Sequence, residues 1–153
     1  MSIEAYLQTW TDGGQAALER EGEQLDYAAS NQYPRIGLRA GDVLHIGYLE
    51  DGFMHLIGAH DGRRGDWSLR STPAPGRRHL GERVVRCGRS QVDWADPAKP
   101  VCSLSVVREL RFRRNNGEIT RLNPDPTGRL DGKALQSIRR LTPQSAELLG
   151  ALL

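Results

Sequence analysis

Residues 39 to 60 read RAGDVLHIGYLEDGFMHLIGAH, and this stretch decides the fold. Val43 to Leu49 and Phe53 to His60 are two runs of aliphatic and aromatic residues separated by Asp51-Gly52. Asp-Gly between such runs predicts a two-residue type I′ hairpin, because both central residues of that turn take positive φ. With that turn, Leu44, Ile46 and Tyr48 share one face with His55, Ile57 and Ala59. Val43, His45 and Leu49 share the other with Met54, Leu56 and His60. Both faces carry apolar side chains, so the hairpin is expected inside a small barrel or under covering helices.

Upstream, Ala5 to Trp10 (AYLQTW) alternates and reads as a first strand, stopped by Asp12-Gly13-Gly14. Ala16 to Glu19 predicts a short helix with Gly22 at its C-terminal end. Leu25 to Tyr33 (LDYAASNQY) sustains neither period and reads as a loop with room for one helical turn. Downstream, residues 61 to 81 are rich in Gly, Pro and Arg and read as a long loop with a short ordered piece at Trp67 to Leu69. Glu82 to Cys87 and Val101 to Phe112 are further strand candidates, divided by a break from Asp96-Pro97 to Pro100. Asn116-Gly117 turns the chain into Glu118 to Leu122, and turn residues dominate Asn123 to Gly132. Thr142-Pro143 opens a closing helix, with Thr as N-cap and Pro at the first helical position. Together these elements predict an α+β fold, a small mixed β pseudo-barrel with flanking short helices, in a single domain over residues 1 to 153.

The 153 residues, 38% hydrophobic and 26% charged, suffice for one core. The acidic start Met1-Ser2-Ile3-Glu4 is unlike a signal peptide, and the longest apolar stretch, Val101 to Val107, is too short to span a bilayer. A cytoplasmic protein without a membrane partner is expected. Cys87 and Cys102 form neither a disulfide framework nor a zinc knuckle.

The net charge of +2 conceals a polarity along the chain. Residues 1 to 61 carry ten acids against three bases, a balance of −7, which leaves +9 for the remainder. Nineteen of the 21 basic residues are arginine, and eight of these fall between Arg63 and Arg89. The arginine fork suits phosphate and stacks on bases, so this clustering points to nucleic acid.

No GxSxG, HExxH, Walker or dinucleotide-binding motif is present, which argues against an enzyme and leaves no catalytic residue to name. His45 and His60 are expected as diagonal neighbours on one hairpin face. A zinc site needs a third ligand, and Asp42 falls on the opposite face by alternation, so neither a metal nor another cofactor is expected. Trp10, Tyr27 and Tyr33 cluster at the end of the first strand and in the adjoining loop, beside Asp26, Ser30 and Asn31. A flipped nucleobase is held in this way, by aromatic stacking and hydrogen bonds to its edge. Arg63, Arg64, Arg77 and Arg78 are then the expected phosphate contacts.

A strand ending in Trp10, a short helix, a polar aromatic loop, Gly41-Asp42 before the hairpin (LRAGDVLHIGYLEDGFMHLIGAHDG, 38 to 62) and the closing IRRLTPQSAELLGALL (138 to 153) resemble the PUA superfamily, EVE-like domains in particular. The resemblance implies a pseudo-barrel whose pocket accepts a flipped, modified base such as 5-methylcytosine, of the kind found in bacterial defence and modification-dependent restriction. Trp10 and the loop from Tyr27 to Asn31 would form the pocket wall. The EVE-type Trp-x-Gly-Val-Arg-Asn loop signature is replaced here by LDYAASNQY. The expected function is thus a nucleic-acid reader module, with DNA ahead of RNA and a nuclease as partner effector. The alternatives are a small-molecule or nucleotide-binding enzyme domain and a protein-interaction adaptor.

Overall fold

A computed structural model describes residues 3–10, 27–30, 36–39, 41–61, 68–70, 83–86, 92–94, 104–131, 133–135 and 137–153. Its centre is the hairpin of β3 (Val43–Glu50) and β4 (Phe53–Asp61). Asp51 and Gly52 take φ of 53° and 83°, the positive values that the sequence requires of a type I′ turn. β1 (Ala5–Trp10) lies parallel to β3 on the hairpin's outer side. With β7 (Val92–Trp94) and β10 (Arg139–Arg140) these strands form a mixed five-stranded sheet in the order β10-β1-β3-β4-β7.

Three shorter strands form a second sheet, in the order β2-β6-β5: β2 (Tyr27–Ser30), β5 (Ser68–Arg70) and β6 (Arg83–Arg86). β8 (Arg111–Arg113) and β9 (Ile119–Arg121) form a hairpin. A bridge between Phe112 and Leu141 ties that hairpin to the chain leaving β10. The helices are α1 (Leu104–Glu109) and α2 (Pro143–Gly150). The fold is α+β, as expected, and no closed barrel is present among the described residues.

Leu7, Met54 and Leu56 pack with Val107, Leu110, Phe112, Leu122, Leu130, Leu135, Leu141 and Leu149 into one core. Tyr6, Leu44, Ile46 and Ile57 are equally buried, so both sides of the sheet are withdrawn from water, as the two apolar faces of the hairpin foretold. Thr142 caps α2 through its hydroxyl, which accepts from Ser145 N at 3.3 Å.

Three expectations are corrected. The hairpin register slips by one between Ile46 and Gly47, pairing Gly47 with Leu56 but Ile46 with Gly58, which leaves Ile57 as an extra residue. Gly47 is required at that point, because a Cβ there would meet His55 O at 2.6 Å. Beyond the bulge every side chain of β4 changes partner: His60 lies opposite Leu44, and His45 opposite Ala59. The two histidines therefore point to opposite faces.

The second correction concerns Val101 to Phe112, whose central part is the helix α1 and not a strand. Leu104, Val107 and Leu110 recur every third residue, whereas Arg108 and Glu109 are both exposed, which strand alternation forbids. The β-branched pair Val106-Val107 imitated a strand. Third, the loop expected over Leu25 to Tyr33 contains β2, whose backbone pairs with β6 across a long sequence separation. The helix expected over Ala16 to Glu19 lies outside the described residues.

Candidate functional site

At the edge of the main sheet, β10 places consecutive arginines on either side of the strand. Arg139 pairs with Leu7 and Arg140 with Tyr6. The Arg140 guanidinium lies 5.7 Å from the centre of the Tyr6 ring, and the Arg139 guanidinium 5.3 Å from that of Phe112 on β8. The Phe112–Leu141 bridge brings β8 alongside, and with it Arg113 and Arg114. The four arginines, with Tyr6, Phe112, Asn115, Thr120 and Ser137, line a cavity of about 490 Å³. Among the described residues no carboxylate lines it.

Two of the four cations have acidic partners just outside. Arg113 meets Glu4 at 3.2 Å, and Arg114 meets Glu118 at 3.7 Å across the turn of the hairpin. Both contacts are partly or fully exposed, so they hold their arginines only weakly. Arg139 and Arg140 have no carboxylate partner among the described residues. Arg140 donates to Ile36 O at 3.3 Å, the same oxygen that accepts from the Tyr6 hydroxyl at 3.2 Å. Its Nε is buried and has no hydrogen-bond partner among the described residues. Burial, and then the neighbouring Arg114 guanidinium, hold Arg139 below the usual arginine range. A site that crowds positive charge favours an entering anion with several acceptor oxygens.

A second cavity, about 640 Å³, has the opposite character. It is lined by buried His45 and Asp61 together with Asp93, Glu4 and Glu147, and its carboxylates oppose an anion. Among the described residues no group of three or more His, Cys, Asp or Glu is placed to hold a metal ion. Asp42, weighed as a third ligand, is occupied elsewhere: its carboxylate accepts from Glu4 N at 3.1 Å and from Arg39 N at 2.9 Å.

The residues expected from sequence are only partly within the described chain. Trp10 ends β1 in the main sheet, whereas Tyr27 and Ser30 are the two ends of β2 in the three-stranded sheet. Opposite them on β6 stand Arg86 and Arg83. Asp26, Asn31, Tyr33, Arg63, Arg64, Arg77 and Arg78 lie outside the described residues. Sequence reasoning missed Arg113, Arg114, Arg139 and Arg140 because it followed the densest run of arginines. The available signal was the pairing of two doublets, Arg113-Arg114 and Arg139-Arg140, each close to a buried aromatic or aliphatic residue.

Compared with protein-family models, curated proteins and solved structures, the chain matches none of them. No helix among the described residues is long and apolar enough to cross a membrane.

Proposed function

We propose that this protein is a nucleic-acid-binding module, and the observation that carries the reading is the cavity lined, among the described residues, by four arginines and no carboxylate. Phosphate contacts from arginine give most of the affinity of such modules and position them, while base contacts supply selectivity. The PUA-like, EVE-like architecture belongs to the same proposal. It is supported by a mixed sheet buried on both sides and by the Phe112–Leu141 bridge, which extends that sheet toward a further hairpin.

In this reading a flipped, modified base such as 5-methylcytosine stacks on Trp10 and Tyr27, with Asp26, Ser30, Asn31 and Tyr33 completing the pocket. Arg63, Arg64, Arg77 and Arg78 add phosphate contacts, DNA is preferred to RNA, and a nuclease partner in the cytoplasm acts on what is bound. The support is the pairing of β2 with an arginine-bearing strand, which brings Tyr27 and Ser30 next to basic positions.

The test is a binding titration across a salt series, with matched duplexes carrying cytosine, 5-methylcytosine or 5-hydroxymethylcytosine, and single strands and RNA alongside. Affinity should fall with salt, and Arg139→Gln or Arg140→Gln should each flatten the slope by about one. Trp10→Ala should cost about 1 to 3 kcal/mol if the base stacks there. Binding without discrimination among the cytosines removes the base pocket and leaves the phosphate grip. Binding unmoved by salt and by both arginine variants removes the reading altogether.

A further inference from the structure

We propose that the arginine cavity takes a phosphomonoester, the phosphorylated end of a single strand, in preference to the internal phosphodiesters of a continuous backbone. The inference rests on the nucleic-acid reading above and specifies its ligand. Its first support is charge. Glu4 and Glu118 offset Arg113 and Arg114, while Arg139 and Arg140 face no carboxylate among the described residues. Two guanidinium groups uncompensated among the described residues match a dianion, and a terminal phosphate approaches a charge of −2 at neutral pH whereas each internal phosphate carries one.

The second support is shape. A backbone that continues in both directions lies along an open groove and meets arginines spaced along its length. Here all four cations line one cavity of about 490 Å³, the size of a site for a single small ligand. The third is the match of donors to acceptors. A terminal phosphate has three non-bridging oxygens to offer the guanidinium forks, one more than an internal diester. Asn115, Thr120 and Ser137 line the same cavity and are suited to bond the adjoining sugar or base edge.

The experiment uses the full chain and one single-stranded oligonucleotide prepared in four forms: with both ends as hydroxyls, with a 5′ phosphate, with a 3′ phosphate, and circularised. Anisotropy titrations at fixed salt should show one phosphorylated form binding about tenfold or more tighter than the hydroxyl-ended form, the gain expected from added charge-assisted hydrogen bonds. Arg139→Gln and Arg140→Lys should bring that ratio close to one, with thermal melting confirming that each variant is folded. Arg121→Gln, an exposed arginine of β9 that does not line the cavity, should leave the ratio unchanged. A nucleoside monophosphate and inorganic phosphate serve as competitors and should displace the phosphorylated strand only at much higher concentration. Equal binding of all four forms, still dependent on Arg139, would overturn the end preference while leaving nucleic-acid binding intact. Displacement by the monophosphate at equal concentration would assign the cavity to free nucleotides and overturn the strand-end assignment. Failure of every form to bind would overturn the nucleic-acid reading itself.

Discussion

Arg140 stands directly opposite Tyr6 across β10 and β1, with its guanidinium 5.7 Å from the centre of the phenol ring. The two also share Ile36 O as acceptor, so a single backbone carbonyl holds both side chains at the wall of the arginine cavity. Burial raises the Tyr6 phenol pKa above its ordinary 10.0 and outweighs the Arg140 guanidinium, which lowers it.

That shift has a definite sign in stability. An unfolded Tyr6 loses its proton near pH 10 while the folded one retains it, so the unfolded state binds fewer protons in that window and stability falls as pH rises. The contribution is complete below pH 10 and is lost as pH climbs through the folded pKa. Ultraviolet difference titration of the native protein should show a late tyrosinate component that Tyr6→Phe abolishes. Chemical denaturation above pH 10 should decline less steeply for that variant than for wild type.

Gly47 is placed where the β3–β4 register slips, and any Cβ there would meet His55 O at 2.6 Å. Gly47→Ala forces backbone displacement in a largely buried pair of strands and should destabilise the fold by about 1 to 3 kcal/mol in a denaturant melt. Gly47→Ala with unchanged stability would mean that the bulge moves freely along the hairpin.

Asp42 ties the start of β3 to two separate segments by accepting from Glu4 N and Arg39 N. Its side chain is 3% exposed, so Asp42→Ala leaves two backbone donors without their carboxylate and should cost about 2 to 4 kcal/mol. Asp42→Asn retains one acceptor oxygen and should fall between Ala and wild type.

Ser145 sits in the first turn of α2, buried, and its hydroxyl accepts from Arg111 N at 2.7 Å. Ser145→Ala should loosen the start of β8 as well as the helix, seen as faster amide exchange at Arg111. Thr142→Ala removes the N-cap alone and should cost about 1 kcal/mol, with the first turn of α2 exchanging faster.

Local chemistry made several elements legible in the sequence. Asp51-Gly52 specifies its turn because few residue pairs accept positive φ twice, and Thr142-Pro143 specifies a helix start because a hydroxyl and a fixed φ suit the first turn. The strand Ala5 to Trp10 was evident from alternation. The central part of Val101 to Phe112 was misread because β-branched residues imitate a strand when their period is short. The three-residue recurrence of Leu104, Val107 and Leu110 and the joint exposure of Arg108 and Glu109 separate the two readings.

The candidate site was much less legible, for a reason visible in its residues. Arg113-Arg114 and Arg139-Arg140 lie about 25 positions apart, and nothing in either doublet states that β8 will lie beside β10. Likewise no local rule places the slip at Ile46/Gly47, yet that one extra residue sends His45 and His60 to opposite faces. By itself the sequence determined the turn chemistry, the helix cap, the two apolar faces of the central hairpin and the arginine-rich balance of the second half, all set by short-range sterics, hydrogen bonding and composition. The tertiary structure alone decided register, which face each histidine occupies and which arginines converge, because these depend on long-range pairing whose free energy is spread over contacts between distant segments.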